Sequence, residues 1–182
     1  MTAIRSSFKA CRWLGLFIII ASITSCSADI NDYKGTSPRF DLFHYFTGQT
    51  QAWGMVQDYT NQQTRRFHVV ITGTMNDGIL TLDEQFLYDD GETDSRLWTI
   101  TRHHDGTYIG KAADIIGNAT GVEVGNALRW RYDFLLKTDE REIQVHFDDW
   151  MYRQDDKHLF NLTSITKWGV EVGKVTLFFS KE

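Results

Sequence analysis

The fold class of this chain is decided by residues 128–136, Leu-Arg-Trp-Arg-Tyr-Asp-Phe-Leu-Leu. Bulky apolar side chains fill every second position of this stretch, and mostly charged ones stand between them. Successive side chains of a β-strand point to opposite faces of the sheet. The alternation therefore predicts a strand with one buried face, formed by Leu128, Trp130, Tyr132, Phe134 and Leu136.

The same period of two continues on both sides of this stretch and is interrupted at regular intervals by turn signals. Asn76-Asp77-Gly78, Asp89-Asp90-Gly91 and His104-Asp105-Gly106 combine residues that tolerate the backbone conformations of tight hairpins. Eight or nine strands result, without the long crossovers that parallel pairing requires. We expect an all-β, antiparallel, up-and-down barrel, because closure leaves no exposed edge strand. A two-sheet sandwich is the alternative, although its Greek-key connections usually need longer loops.

Two segments depart from this alternation. Between Pro38 and Gly48, apolar residues from Phe40 to Phe46 are spaced by two to four positions. This spacing predicts a short N-terminal helix or turn whose apolar face plugs one end of the barrel. Residues 117–125 are rich in glycine, which predicts a bulge or a barrel corner.

The N-terminus has the composition of a secretory signal. Arg5, Lys9 and Arg12 accompany an apolar run over residues 13–23, which is too short to span a membrane because a spanning helix needs about 20 residues. Ile23-Thr24-Ser25-Cys26 then resembles the bacterial lipobox, in which the cysteine thiol takes a diacylglycerol and the signal is cut ahead of it. An ordinary secretory peptide that happens to carry a cysteine is the alternative.

These features predict a lipoprotein signal peptide over residues 1–25, a flexible tether over 26–37 and a single β-barrel domain over 38–182. In the lipoproteins that the motif resembles, an aspartate after the cysteine favours retention in the inner membrane. Ser27 stands there instead. We therefore expect a lipid-anchored protein in the envelope of a Gram-negative bacterium, on the periplasmic face of the outer membrane.

Composition excludes several other classes of function. Loss of three cations with the signal changes the formal net charge from −5 to −8, and no basic cluster is present, so nucleic acid is not an expected partner. Cys11 leaves with the signal and Cys26 becomes a thioether, so no disulfide is expected. His103 and His104 are adjacent at a hairpin tip and would point to opposite faces of a strand. We expect no metal site and no cofactor.

The chain resembles a family of proteobacterial lipoproteins known as domain of unknown function 3833. The resemblance covers the mature chain and rests on residues 43–48, 82–86, 90–91, 114–117, 125–130, 148–152 and Asn161. It implies a lipocalin-like fold. The genes of this family tend to lie beside fatty-acid-modifying ones, which implies lipid-related work in the envelope. The resemblance supplies no catalytic residues.

Glu84 is the most informative polar residue in the alternation. It shares a face with Leu82 and Phe86, so it is expected to point inward, where a buried carboxylate needs a partner or a raised pKa. Arg102 lies four positions after Trp98 on the neighbouring strand and therefore faces the same side of the sheet. It is the expected partner of Glu84. Such a pair would anchor a ligand headgroup, or it would only close one end of the barrel.

A second acidic position stands at Asp148-Asp149, where the apolar parity changes so that Trp150 and Tyr152 become the bulky residues. A β-bulge would explain this change and would re-aim one carboxylate. Asp148 or Asp149 would then join Glu84 in acid–base chemistry on an acyl chain. Alternatively, one aspartate only accepts backbone hydrogen bonds at the bulge.

Aromatic residues either line an apolar cavity or fill the barrel. The leading hypothesis is a lipid-anchored barrel, a binding protein rather than an enzyme, that holds a fatty acid, a phospholipid or another small apolar ligand. The candidate ligand-binding residues are Glu84, Arg102, Trp98, Trp130, Tyr132 and Asp149. An envelope enzyme acting on acyl chains, and a pocketless structural or assembly lipoprotein, are the alternatives.

Overall fold

Ten antiparallel strands form a closed barrel in the computed structural model, which describes residues 28–137 and 141–182. Each strand pairs with its neighbours in sequence, and β1 closes the ring by pairing with β10. The all-β, lipocalin-like, up-and-down barrel predicted from the sequence is confirmed, with ten strands instead of eight or nine. The strands are β1 Gly48–Asp58, β2 Gln63–Asn76, β3 Ile79–Tyr88, β4 Thr93–Arg102, β5 Thr107–Lys111, β6 Ile115–Val124, β7 Ala127–Lys137, β8 Glu142–Arg153, β9 His158–Lys167 and β10 Val170–Lys181.

Strand β6 was not predicted from the sequence, because its glycine-rich segment lacks the alternation of apolar and polar residues. Its pairing with β7 changes register between Ile116 and Thr120, so the predicted bulge is confirmed. Gly121 has a structural reason to lack a side chain, since a Cβ there would lie 2.3 Å from the ring of Trp130. Small residues in β6 therefore make room for the largest side chain of β7.

A short helix, α1 (Leu42–Phe46), closes one end of the barrel as the sequence predicted. The carboxylate of Asp41 caps it by accepting a hydrogen bond from the backbone N–H of His44 at 3.1 Å. Its apolar face enters the barrel, where Leu42 and Phe46 are 3% exposed. Gly73 of β2 permits this approach, because a Cβ there would lie 1.7 Å from the carbonyl oxygen of Phe46.

Lys181 fastens the C-terminal end of α1 to the last strand. Its Nζ donates hydrogen bonds to the carbonyl oxygens of His44, Tyr45 and Thr47, at 3.1, 2.6 and 2.6 Å. The last carbonyls of a helix have no partner within the helix, and a cation there also meets the negative end of the helix dipole. Lys181 thus caps the C-terminal end of α1.

The described part of the predicted tether lies against the barrel wall. A 3₁₀ turn, Ile30–Tyr33, begins at Asp29, and the Tyr33 ring contacts those of Trp150 and Tyr152 at centroid distances of 5.9 and 5.5 Å. The predicted signal peptide and Cys26 lie outside the described residues. Neither helical segment of the described chain has the length and apolar character that a membrane crossing needs.

The β-bulge predicted at Asp148-Asp149 is wrong. Strand β8 pairs in continuous register with β7 from Glu142 to Tyr152 and with β9 from His146 to Arg153. The apparent change of parity arises because Trp150 on the outer face is half-covered by Tyr33. An outward aromatic residue under such a cover resembles a core residue in the sequence.

Replacing Lys181 by methionine should lower the free energy of unfolding by about 1–2 kcal/mol, because three carbonyl oxygens lose a charged donor. The measurement is urea unfolding followed by tryptophan fluorescence. Lys174→Met is the control, since Lys174 pairs with Glu171 on the surface and should change stability by only about 0.5 kcal/mol. Equal losses in the two variants would contradict the capping role.

Candidate functional site

The barrel is hollow in the half that lies away from α1. A cavity of about 520 Å³ extends toward the open end, which we call the mouth. Arg65, Leu136 and Ile165 border the cavity near the mouth, and its walls are mainly apolar. The inward aromatic rings that line it are Phe67, Phe86, Phe134, Phe147, Trp98 and Tyr132.

The half of the barrel nearer α1 is packed with side chains, apart from a cavity of about 60 Å³ beside Leu42 and Phe46. Trp130 lies between two glycines, and a Cβ at Gly110 or Gly121 would come within 2.4 or 2.3 Å of its ring. Trp98 meets Trp130 edge-on at 5.8 Å and Tyr132 edge-on at 5.5 Å. These packed rings form the floor of the cavity.

A polar cluster interrupts the apolar lining near this floor. Glu84, Arg96, Asp149 and Tyr132 all border the cavity. Glu84 and Arg96 lie directly opposite each other on the paired strands β3 and β4. The guanidinium Nε of Arg96 donates a hydrogen bond to Asp114 Oδ2 at 2.9 Å. The cluster therefore holds more carboxyl groups than cations.

Burial is the main reason why the pKa of Glu84 is raised to about 7. Arg96 opposes this rise because it favours the charged carboxylate, whereas Asp114 and Asp149 reinforce it. A hydrogen bond from the Trp98 side chain lowers the pKa slightly. Glu84 therefore binds its proton more tightly than an exposed glutamate does.

Asp149 is the second unusual carboxyl group of the cluster. Its residue is 6% exposed, and burial raises its pKa to about 6, although the hydroxyls of Thr163 and Tyr132 and the charge of Arg96 lower it. Among the described residues, its Oδ1 atom is buried and has no hydrogen-bond partner. A buried polar atom without a partner costs about 1–3 kcal/mol, so this oxygen is suited to a bound hydrogen-bond donor.

Arg102 lies outside the cavity, and its predicted pairing with Glu84 is wrong. It is six residues farther along β4 than Arg96, or about 20 Å at the rise of a strand. There its guanidinium pairs with Asp41 at 2.9 Å and donates a hydrogen bond to the hydroxyl of Tyr108, also at 2.9 Å. Arg102 therefore belongs to the plugged end.

The other predicted residues divide clearly between cavity and wall. Glu84, Trp98, Tyr132 and Asp149 line the cavity, whereas Trp130 fills the floor. Asp148 faces outward, where Arg129 donates two hydrogen bonds to its carboxylate at 2.8 and 2.6 Å.

Sequence reasoning missed Arg96 as a residue of the site. The sequence did indicate its position, because Arg96 lies two residues before Trp98 on one strand and therefore faces the same side of the sheet. No cluster of three or more metal-ligand side chains occurs within residues 28–137 and 141–182.

The fold and cavity define a class: a closed, lipocalin-like antiparallel barrel with a hollow interior. The chain belongs to the family described as Protein of unknown function (DUF3833), which matches residues 20–181. A comparison with curated proteins gave no match. Among solved structures, the S-type phycobiliprotein lyase CPES from Guillardia theta is similar, with a TM-score of 0.58 and 8% identity over 77% of this chain and 90% of that one. At this identity the likeness shows a shared fold.

The raised pKa of Glu84 predicts a specific dependence of stability on pH. The pKa increases from 4.5 to about 7 on folding, so the folded chain binds the proton more tightly. The favourable contribution is complete below the unfolded pKa and disappears as pH rises through the folded pKa. Compared with Glu84→Gln, the wild-type chain should lose on the order of 3 kcal/mol of unfolding free energy across this interval. Urea unfolding at several pH values measures both proteins, and parallel curves would contradict the assignment.

Proposed function

We propose that this protein binds one small, largely apolar molecule inside the barrel and that the molecule directs a hydrogen-bond donor toward Glu84 and Asp149. The observation that carries the proposal is the unpartnered, buried Oδ1 of Asp149 at the floor of an aromatic cavity. A pocketless structural role is less well supported, because the interior encloses about 520 Å³. Ligand pockets typically measure about 300–1,000 Å³.

The charges of the cluster favour a particular kind of polar group on the ligand. Arg96 is the cation of the cluster, and Asp114 already accepts its hydrogen bond. An ionised fatty acid or a phosphate at the floor would add a negative charge to Glu84 and Asp149 in a site of low dielectric constant. Such a charge is costly to bury without its own cation. An alcohol, an amide, an N–H group or an amine fits better, because each donates hydrogen bonds.

The fold shared with a phycobiliprotein lyase is consistent with binding of a small ligand. The cavity lining also suits an extended apolar molecule, such as a lipid, because aromatic side chains provide large contact areas. Within the lipid classes expected from the sequence, the cluster favours neutral or amine-bearing molecules over anionic ones.

We also propose that the barrel works at a membrane, held there by acylation of Cys26. The support is the sequence Ile23-Thr24-Ser25-Cys26 after a short apolar run. Several acyl chains anchor a protein more firmly than one, since each buried methylene contributes about 0.8 kcal/mol. The envelope of a Gram-negative cell, on the periplasmic face of the outer membrane, remains the expected location.

Catalysis is a second candidate function, favoured by one observation. Glu84 and Asp149 face the same apolar cavity with pKa values raised to about 7 and 6. Two neighbouring carboxyl groups whose pKa values are raised toward neutrality can serve as acid and base. An enzyme would lose turnover but keep its ligand in Glu84→Gln, whereas a binding protein would lose affinity.

Ligand retention tests the binding proposal. Protein extracted gently from membranes should carry one additional non-covalent mass per chain in native mass spectrometry. Asp149→Asn should reduce that occupancy strongly, because the amide replaces an acceptor by a donor. Asp148→Asn is the matched control, since the neighbouring aspartate faces outward toward Arg129. Absence of any bound molecule, or equal loss in both variants, would overturn the proposal.

The chemistry of the polar group is tested separately with three molecules of equal chain length. Decylamine and decanol should bind the ligand-free protein roughly tenfold more tightly than decanoate at neutral pH, since the carboxylate adds charge to an acidic cluster. Isothermal titration calorimetry measures the three affinities. Tightest binding of decanoate would refute the donor preference and leave the cavity itself unaffected.

A further inference from the structure

An uninterrupted row of apolar and aromatic side chains crosses the outer surface of six adjacent strands. Direct cross-strand pairing aligns its members one beside the next, from β8 through β9, β10, β1 and β2 to β3. None of the six carries a carboxylate, although the chain as a whole is acidic. We call this row the aromatic band, and it consists of Tyr152, Phe160, Phe178, Trp53, His68 and Leu87.

The band is exposed in spite of its composition. Trp53 is 51% exposed, Phe160 42% and Leu87 52%. The rings support one another, since Phe178 lies 6.5 Å from Trp53 and 5.2 Å from Phe160. Contiguous exposed apolar surface of this kind marks an interaction site, because single exposed residues are ordinary but rows of them are not.

We infer that the aromatic band rests on a lipid surface, so that the barrel lies on its side against the membrane. The first argument is the course of the chain. Tyr33 packs on Tyr152 at 5.5 Å, so the N-terminal segment reaches the barrel at the edge of the band. Cys26 precedes Tyr33 by seven residues, a distance of at most roughly 25 Å in extended chain. An acyl anchor at Cys26 would therefore hold the band close to the bilayer.

The second argument is the chemistry of the band. Tryptophan and tyrosine concentrate at membrane–water interfaces, because their rings are apolar and their N–H or O–H groups remain hydrated. Arg66, a charged residue beside the band, is bound to Asp89 at 3.2 Å on the rim of the band. The six residues of the band add no negative charge, and Asp89 on the rim is paired with Arg66, so an anionic bilayer repels this face less than it repels the acidic parts of the surface.

The third argument is the position of the band relative to the cavity. Phe67 and Tyr88 border both the interior cavity and a shallow outer groove beside Trp53. A lipid surface on the band would thus lie against the wall of the ligand cavity. The inference shares the anchor at Cys26 with the proposed function and is independent of the ligand that the cavity binds.

Spin labels in membranes test the orientation. The acylated protein, reconstituted in phosphatidylethanolamine–phosphatidylglycerol vesicles, would carry a nitroxide at Phe160→Cys or Leu87→Cys. Thr120→Cys is the control, because Thr120 is exposed on β6, on the far wall of the barrel. In power-saturation experiments the band labels should be at least about twofold more accessible to oxygen, and less to a water-soluble nickel complex, than the control label.

Equal nickel accessibility at the three positions would overturn the inference. Strong dipolar broadening between band labels that persists in detergent would also overturn it, because it would show that a second copy of the chain covers the band. Native mass spectrometry decides the cavity ligand independently, so failure of one proposal does not imply failure of the other. The chain without an introduced cysteine serves as a further control, since reaction of the spin label with Cys26 would show that its thiol carries no lipid. If such a chain then failed to bind vesicles, the inference would be rejected.

Discussion

Closure of the barrel through β1 and β10 is the constraint on which the rest of the structure depends. These strands pair from Thr50 with Lys181 to Asp58 with Gly173, so the backbone groups of both find partners and no edge remains. Once the sheet is closed, the alternation along each regular stretch of strand places every residue either inside or outside the barrel. The same alternation therefore creates the cavity on one face and the aromatic band on the other.

Closure also gives the buried carboxyl groups their chemistry. Inside the closed barrel, Glu84 is half-buried and Asp149 is buried, and one guanidinium, that of Arg96, lies near both of them and Asp114. The charged forms are therefore disfavoured, and both pKa values rise toward neutrality. Natural proteins accept this cost mainly where function needs it, which is why the cluster is the centre of the proposed site.

Much of the architecture could be predicted from local pattern. The inward parity of Glu84, Trp98 and Tyr132 follows from alternation, and the structure places all three on the cavity. The partners of individual side chains were less predictable, because the alternation gives the face on which a residue lies but not its height along the barrel. Arg96 and Arg102 share one face, yet Arg96 lies opposite Glu84 in the strand pairing, whereas Arg102 pairs with Asp41. The bulge expected near Asp148 failed for a related reason, since a distant residue, Tyr33, covers Trp150.

The sequence by itself determined the strand period, the hairpin turns and the apolar plug formed by α1. These are local properties, set by side-chain alternation and by residues that tolerate turn conformations. Only the tertiary structure decided the tenth strand, the partner of Glu84, and the division of the barrel into a packed floor and a hollow mouth. The physical reason is that register and volume depend on contacts between residues far apart in the chain, as when Gly110 and Gly121 make room for Trp130.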